Sequence, residues 1–168
     1  MDTMTDDKLA QGWLFHQRFG YAYDKIPPGL AFEAYGKALL QCANGDGELT
    51  DDERTWVVGY FAAFDSPQEV TDTLKGFDGS GDIEATISMG NTVADVGRRW
   101  LVWDALNACG ADGPLSEGER KTVRRMSAKM GISEDLVRQI EELQRQETEL
   151  NQKKLDLLWP DGVPAEYL

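Results

Sequence analysis

Carboxylates recur at two places in the chain with the same spacing and the same neighbours. Asp46 and Asp112 each precede a glycine, and Glu53 and Glu119 each follow seven residues later. Hard divalent cations such as Ca²⁺ and Mg²⁺ take oxygen ligands, largely from carboxylates and carbonyl groups. Four carboxylates brought together by the fold would suit such an ion. Asp46, Glu53, Asp112 and Glu119 are therefore the candidate metal ligands, with Ca²⁺ or Mg²⁺ as the one cofactor considered.

The same carboxylates also have a purely structural explanation. Asp-Gly is a common turn dipeptide. Glu53 and Glu119 stand three residues after Thr50 and Ser116, which predicts two capping boxes in which each glutamate accepts a hydrogen bond from the N-cap backbone. Acidic residues also complement the dipole at a helix start. The repetition does not decide whether these carboxylates are helix caps or metal ligands, because a duplication would copy either kind of residue.

Neither acidic loop fits the EF-hand pattern of Ca²⁺-binding proteins. If Asn44, Asp46 and Glu48 were the first three ligand positions, Leu49 would replace the turn glycine and Thr55 the bidentate glutamate. A cation site in this chain must therefore be built differently, by combining the two loops.

The elements that must position these residues are helices. Apolar residues recur with helical periodicity and strand patterns are almost absent. Helices are predicted at about 6–19, 28–43, 51–64, 67–75, 83–89, 91–108, 117–130 and 134–158. The first is expected to bury Leu9, Trp13 and His16. A third capping box is predicted at Ser66, and the helix after Thr50, apolar almost all round, is expected to be central.

An internal repeat relates the two acidic loops. A shift of 66 residues aligns 35–65 with 101–131 without a gap, and the acidic residues, their glycines and the apolar stripes stay in phase. Repeated two-helix units usually pack on each other. The prediction is an all-α, compact bundle of about seven to eight helices, built from two pseudo-two-fold related helical units.

This organisation predicts a single domain over residues 1–168. The repeat units extend over about 27–75 and 91–143, and a C-terminal helical extension at 144–158 and a tail at 159–168 follow.

The repeated motif resembles the tellurite-resistance TerB-like family. An apolar helix precedes Ala/Gly-Asp-Gly-x-Leu-Ser/Thr-x-x-Glu-Arg, and the next helix ends near Met-Gly-Ile-Ser. Residues 111–119 followed by 129–133 match best, residues 44–54 carry the same motif, and the resemblance covers roughly 29–143.

The resemblance implies an all-α domain with the acidic residues of both halves gathered on one surface. It also implies cation binding, in a stress or tellurite-resistance system. The family's acidic pattern falls on Asp46, Glu53, Asp112 and Glu119 of this chain.

Composition excludes several classes of partner. The formal net charge is −13, from 17 Lys and Arg against 30 Asp and Glu, so nucleic acid and anionic membranes are repelled. The acidic start at residues 1–7 has no signal-peptide pattern, and the longest apolar run, 56–64, is too short to cross a bilayer. A cytoplasmic protein without membrane insertion is expected, with Cys42 and Cys109 as small buried hydrophobes.

No catalytic set is visible, and the only histidine is expected to serve packing. The first hypothesis is therefore a non-enzymatic TerB-like protein that binds a divalent cation through paired acidic loops. The alternative is a protein-protein interaction module without metal, using the acidic face or the C-terminal helix. That helix carries Leu136, Ile140, Leu143, Leu150 and Leu157 at near-heptad spacing and an apolar end at Leu155, Leu158, Trp159, Tyr167 and Leu168, which suits a protein partner or a homodimer.

Overall fold

The chain folds into helices alone within the part that the computed structural model describes, residues 5–25, 33–89 and 97–167. The predicted all-α fold is confirmed. The helices of this part are α1 (Asp6–Phe19), α2 (Glu33–Ala43), α3 (Asp51–Ala63), α4 (Gln68–Gly76), α5 (Ile83–Met89), α6 (Arg98–Cys109), α7 (Glu117–Lys129) and α8 (Glu134–Leu158). Short 3-10 turns occupy Asn44–Asp46 and Ala165–Tyr167. The predicted starts of two helices, at 28–32 and 91–96, lie outside the described residues.

The centre of the molecule is formed by α2 and α6, which pack against each other. Residues 38–43 of α2 are all buried, whereas α3 buries Glu53, Val57 and Phe61 alone. The expectation that α3 is central is therefore wrong. Small residues explain the difference, because Gly36 of α2 leaves no room for even a Cβ beside the side chains of Leu74 and Phe61.

Each repeat unit covers the apolar face of the other. The first unit is the pair α2–α3 and the second is the pair α6–α7. Helix α2 packs on both α6 and α7, and α6 packs on both α2 and α3. The packing that the internal repeat predicts is therefore present, while the pseudo-two-fold relation itself stays a prediction.

Two of the three predicted capping boxes are confirmed. Thr50 and Ser116 each cap their helix in both directions with the glutamate at N3. At Ser66 the prediction is wrong, because Pro67 is the N-cap of α4 and makes no side-chain cap. The Ser66 backbone N–H instead donates to the Phe61 carbonyl (3.1 Å), so this residue belongs to the end of α3.

Helix α1 docks through a different face from the one predicted. Leu9 and Trp13 are 54% and 58% exposed, while Phe15 is buried. Phe15 and Phe19 pack against the Phe64 ring. His16 is half-buried, stacks on a tyrosine ring and lies with Nδ1 2.7 Å from a backbone carbonyl oxygen, in agreement with a packing role.

A buried ion pair explains which face of α1 points inwards. Arg18 pairs with Asp104 of α6, whose side chain is completely buried. Asp104 also accepts a hydrogen bond from the Tyr35 hydroxyl (2.6 Å). Since an unpaired buried carboxylate costs several kcal/mol, Arg18 fixes the rotation of α1, and its neighbours on the same face follow.

The two units meet most closely where the loop between α2 and α3 crosses the first turn of α7. A Cβ on Gly118 would lie 2.6 Å from the Gly45 carbonyl oxygen and 2.8 Å from Asp46 Cα. A Cβ on Gly45 would lie 2.6 Å from Glu119 Cα. Backbone therefore touches backbone at this crossing, and only glycine fits on either side.

We predict that Gly118→Ala destabilises the protein by about 1–3 kcal/mol, because the added methyl group forces the crossing apart. Alanine normally stabilises a helix relative to glycine, so the sign is diagnostic. The matched control is Gly59→Ala in α3, where nothing lies within 4 Å of the added Cβ. This control should gain up to about 1 kcal/mol. Urea denaturation measures both, and a stabilised Gly118→Ala variant would contradict the close crossing.

Candidate functional site

Each acidic loop joins the two helices of its unit. In the first loop, residues 44–46 form a 3-10 turn that Gly47 ends with a φ of +95°. The Asp46 carboxylate accepts a hydrogen bond from the Glu48 backbone N–H (3.1 Å). One oxygen of Asp46 thus holds the loop closed, and the residue is exposed at the surface.

The two cap glutamates lie deeper than the aspartates. Glu53 is 2% exposed and Glu119 is 4% exposed. Glu53 Oε2 accepts from the Thr50 backbone N–H (2.8 Å) and hydroxyl (3.0 Å). Glu119 Oε2 accepts from the Ser116 backbone N–H (2.5 Å). The caps fix the rotamers of both side chains, which are called the glutamate pair below.

The glutamate pair is a direct contact between the two units. The Glu53 and Glu119 carboxylates lie within hydrogen-bonding reach of each other. Burial, opposed by the Thr50 hydrogen bonds and reinforced by the carboxylates of Glu119 and Asp112, raises the pKa of Glu53 to about 7. Two buried carboxylates in contact favour a shared proton or a bound cation over two free charges.

No lysine or arginine of the described residues forms an ion pair with the glutamate pair. Within residues 5–25, 33–89 and 97–167, neither glutamate has an ion-pair partner among lysines and arginines. Arg54, next in sequence to Glu53, donates instead to the backbone carbonyls of Leu74 and Phe77. The negative charge of the pair is therefore left for a ligand or a proton to balance.

Two thiols lie close to the glutamate pair. Cys42 and Cys109 are free and buried, as predicted, and Cys42 Sγ lies 3.7 Å from Met126 Sδ. Burial above all, with the charge of Glu119 adding to it, raises the pKa of both thiols above its ordinary value. They are therefore protonated at neutral pH and present no thiolate to a metal.

The structure brings the four predicted residues to one region, but in unequal roles. Glu119 and Asp112 are both close enough to raise the pKa of Glu53, and Asp46 reaches the first turn of α7 through its backbone. Among the described residues, no group of three or more histidine, cysteine or acidic side chains forms a ready metal cage. The glutamate pair is thus the centre of the candidate site.

Sequence reasoning missed the glycines that make the pair possible. Gly45 and Gly118 break the 66-residue match, because their counterparts are Ala111 and Asp52. A departure from a repeat at two small residues beside the motif was the available indication of a close crossing. This departure could be interpreted only with the knowledge that Gly45 and Gly118 lie against each other in the fold.

The sequence predicts that no segment of the chain crosses a membrane. Across the described ranges, no helix has both the length and the apolar character that crossing a bilayer requires.

One solved structure matches the whole chain. It is the crystal structure of a tellurite resistance protein from Nostoc punctiforme, with a TM-score of 0.79 and 32% sequence identity. The match covers 96% of this chain and 99% of the other. No protein-family model and no curated protein matches the chain. The likeness extends beyond the two loops and includes the regions of α1 and α8.

The glutamate pair predicts an unusual pH dependence of stability. Because the pKa of Glu53 rises from 4.5 to about 7 on folding, the folded protein keeps a proton that the unfolded chain releases between these values. The contribution of Glu53 to the free energy of unfolding is fully present below about pH 4.5 and is lost as the pH rises to about 7. Across this range the free energy of unfolding should fall by at most about 1.4 kcal/mol per pH unit.

We expect Glu53→Gln to remove this loss in metal-free buffer, because the amide imitates the protonated acid and donates to Glu119. The variant should match the parent near pH 4.5 and exceed it in stability at pH 7 to 8. Thermal melts across this range provide the measurement. Glu48→Gln, an exposed change of equal charge in the same loop, should leave the pH profile unchanged. Equal profiles for the parent and Glu53→Gln would refute the raised pKa.

Proposed function

The chain belongs to the TerB-like family of tellurite resistance proteins, and from this premise we propose that it is a non-enzymatic protein that binds a divalent cation between its two acidic loops. The contact between Glu53 and Glu119 carries the proposal. A buried pair of carboxylates without a basic partner has a strong preference for a positive charge.

The residues present fit a hard cation. Glu53 and Glu119 each use one carboxylate oxygen, Oε2, in a cap, which leaves the other oxygen for an ion. Asp46 and Asp112 are exposed, and in this proposal their carboxylates would add ligands or charge. Oxygen donors of this kind suit Ca²⁺ or Mg²⁺. The ion would neutralise the pair and link the two repeat units.

Proton and metal compete for the same site in this proposal. Since the pKa of Glu53 is about 7, a cation must displace a proton from the glutamate pair at neutral pH and below. Metal affinity should therefore rise with pH until the pair is fully ionised. A cation attracted merely by the surface charge would show no such proton release.

The first test is a thermal melt of the full chain with CaCl₂ or MgCl₂ at millimolar concentration. A bound ion should raise Tm, by an amount that grows with metal concentration and is larger at pH 8 than at pH 6. Asp46→Asn combined with Asp112→Asn should reduce the shift. Asp24→Asn combined with Asp161→Asn, two exposed aspartates elsewhere, is the control of equal charge and should retain it.

Glu53→Gln makes the test sharper. This variant should be more stable than the parent without metal at pH 8 and should nevertheless lose its response to Ca²⁺. A general loss of folding cannot produce this opposite pair of effects. Calorimetry in two buffers of different ionisation enthalpy should also reveal proton release on binding by the parent. Absence of both a Tm shift and binding heat at millimolar Ca²⁺ and Mg²⁺ would overturn the proposal.

The biological setting follows from the family and stays a proposal. The relative of known structure is a tellurite resistance protein, so a role in tellurite resistance or a related stress response is the setting we propose, in the cytoplasm. A second candidate function, docking of a protein on the C-terminal helix, is favoured by exposed leucines on α8. It is compatible with the cation site and is developed next.

A further inference from the structure

The second half of α8 carries an apolar face that no described residue covers. Leu143, Leu150 and Leu157 are 56%, 66% and 79% exposed. Their spacing of seven residues places them on one side of the helix, along about 21 Å at a rise of 1.5 Å per residue. We name these three residues the leucine stripe. The first half of the same helix packs on the body through Val137 and Ile140.

Charge is distributed unevenly along this part of α8. Residues 141–149 hold four glutamates and one arginine, whereas residues 151–158 hold two lysines and one aspartate. Arg145 already pairs with Glu142 and Glu149 within the helix, which leaves the first segment acidic. The second segment is basic, and the leucine stripe passes through both.

Two opposite charges beside the leucine stripe have no ion-pair partner within the described part of the chain. Glu147 and Lys154 follow Leu143 and Leu150 by four residues each, so they lie on the same side of the helix as the leucines. Neither has an ion-pair partner among the described residues, and Lys154 donates only to Asn151 (3.0 Å). A partner that packs on the leucine stripe must therefore place opposite charges near Glu147 and Lys154.

We propose that the leucine stripe binds a second copy of this chain in an antiparallel orientation, with the two-fold axis beside Leu150. Leu150 then faces Leu150 of the second copy, and Leu143 faces its Leu157. In the same register Glu147 approaches Lys154 of the second copy, and the reverse pair forms on the other side. A closed two-fold contact of this kind is self-complementary.

The charges favour the antiparallel orientation over the parallel one. Two parallel helices would place acidic segment beside acidic segment and Glu147 beside Glu147, which is repulsive. The antiparallel arrangement places each acidic segment along a basic one. A second copy supplies apolar surface and opposite charge in the required order, whereas a uniformly basic partner would match only the acidic half.

Association is tested with the full chain by sedimentation velocity over a range of concentrations. The parent should form dimers, and Leu150→Glu should raise the dissociation constant at least tenfold. Gln152→Glu adds the same charge on the opposite face of the exposed helix and should leave dimerisation unchanged. A parent that stays monomeric at millimolar concentration would overturn the proposal, as would a dimer that Leu150→Glu does not weaken.

Cysteine cross-linking tests the orientation. Leu150→Cys should form a disulfide-linked dimer under mild oxidation. Leu143→Cys alone should not, whereas an equal mixture of Leu143→Cys and Leu157→Cys should cross-link. The native Cys42 and Cys109 are buried and do not compete in the folded protein. Efficient cross-linking of Leu143→Cys with itself would indicate a parallel pair and refute the antiparallel register.

Exchanging the charges of Glu147 and Lys154 tests the same register independently. Glu147→Lys should weaken the dimer, because it sets a lysine against Lys154 of the second copy. Adding Lys154→Glu to that variant should restore dimerisation to the parental level. Failure of the double exchange to restore it would show that the two charges do not meet, which overturns the proposed register.

Discussion

The contact between Glu53 and Glu119 is the constraint around which the two halves of this protein are arranged. Each glutamate is fixed by its own helix, because the capping box holds one carboxylate oxygen on the N-cap backbone. Once the units pack face to face, the free sides of the two carboxylates must meet. The packing that buries the apolar faces therefore also brings two carboxylates together out of water, which favours a proton on Glu53.

This arrangement gives one residue two roles that conflict at neutral pH. As a cap, Glu53 stabilises the start of α3 in its ionised form, since its oxygen accepts from Thr50. Burial above all, reinforced by the carboxylates of Glu119 and Asp112, favours the protonated form. The resulting pKa near 7 is a compromise between these demands. The pairing follows from the packing of the two units, and the proposed cation site rests on it.

Two capping boxes and the packing of the repeat units on each other could be predicted from the sequence, whereas the rotation of α1 and the start of α4 could not. The capping boxes at Thr50 and Ser116 depend on residues three apart in the sequence. The rotation of α1 depends on an ion pair between residues 86 apart in sequence, and periodicity alone favoured the wrong face. The error at Ser66 has a local origin, because the end of α3 and the start of α4 compete for this residue.

The departures from the repeat explain why the candidate site is not symmetric. At one crossing Gly45 and Gly118 allow backbone contact. The residues that the repeat aligns with them are Ala111 and Asp52, and both carry the Cβ for which the crossing of Gly45 and Gly118 has no room. The two aspartates also differ, because the charge of Asp112 raises the pKa of Glu53, whereas the Asp46 carboxylate accepts from the Glu48 backbone N–H. The repeat thus supplies two like carboxylates, and the residues that depart from it give those carboxylates different surroundings.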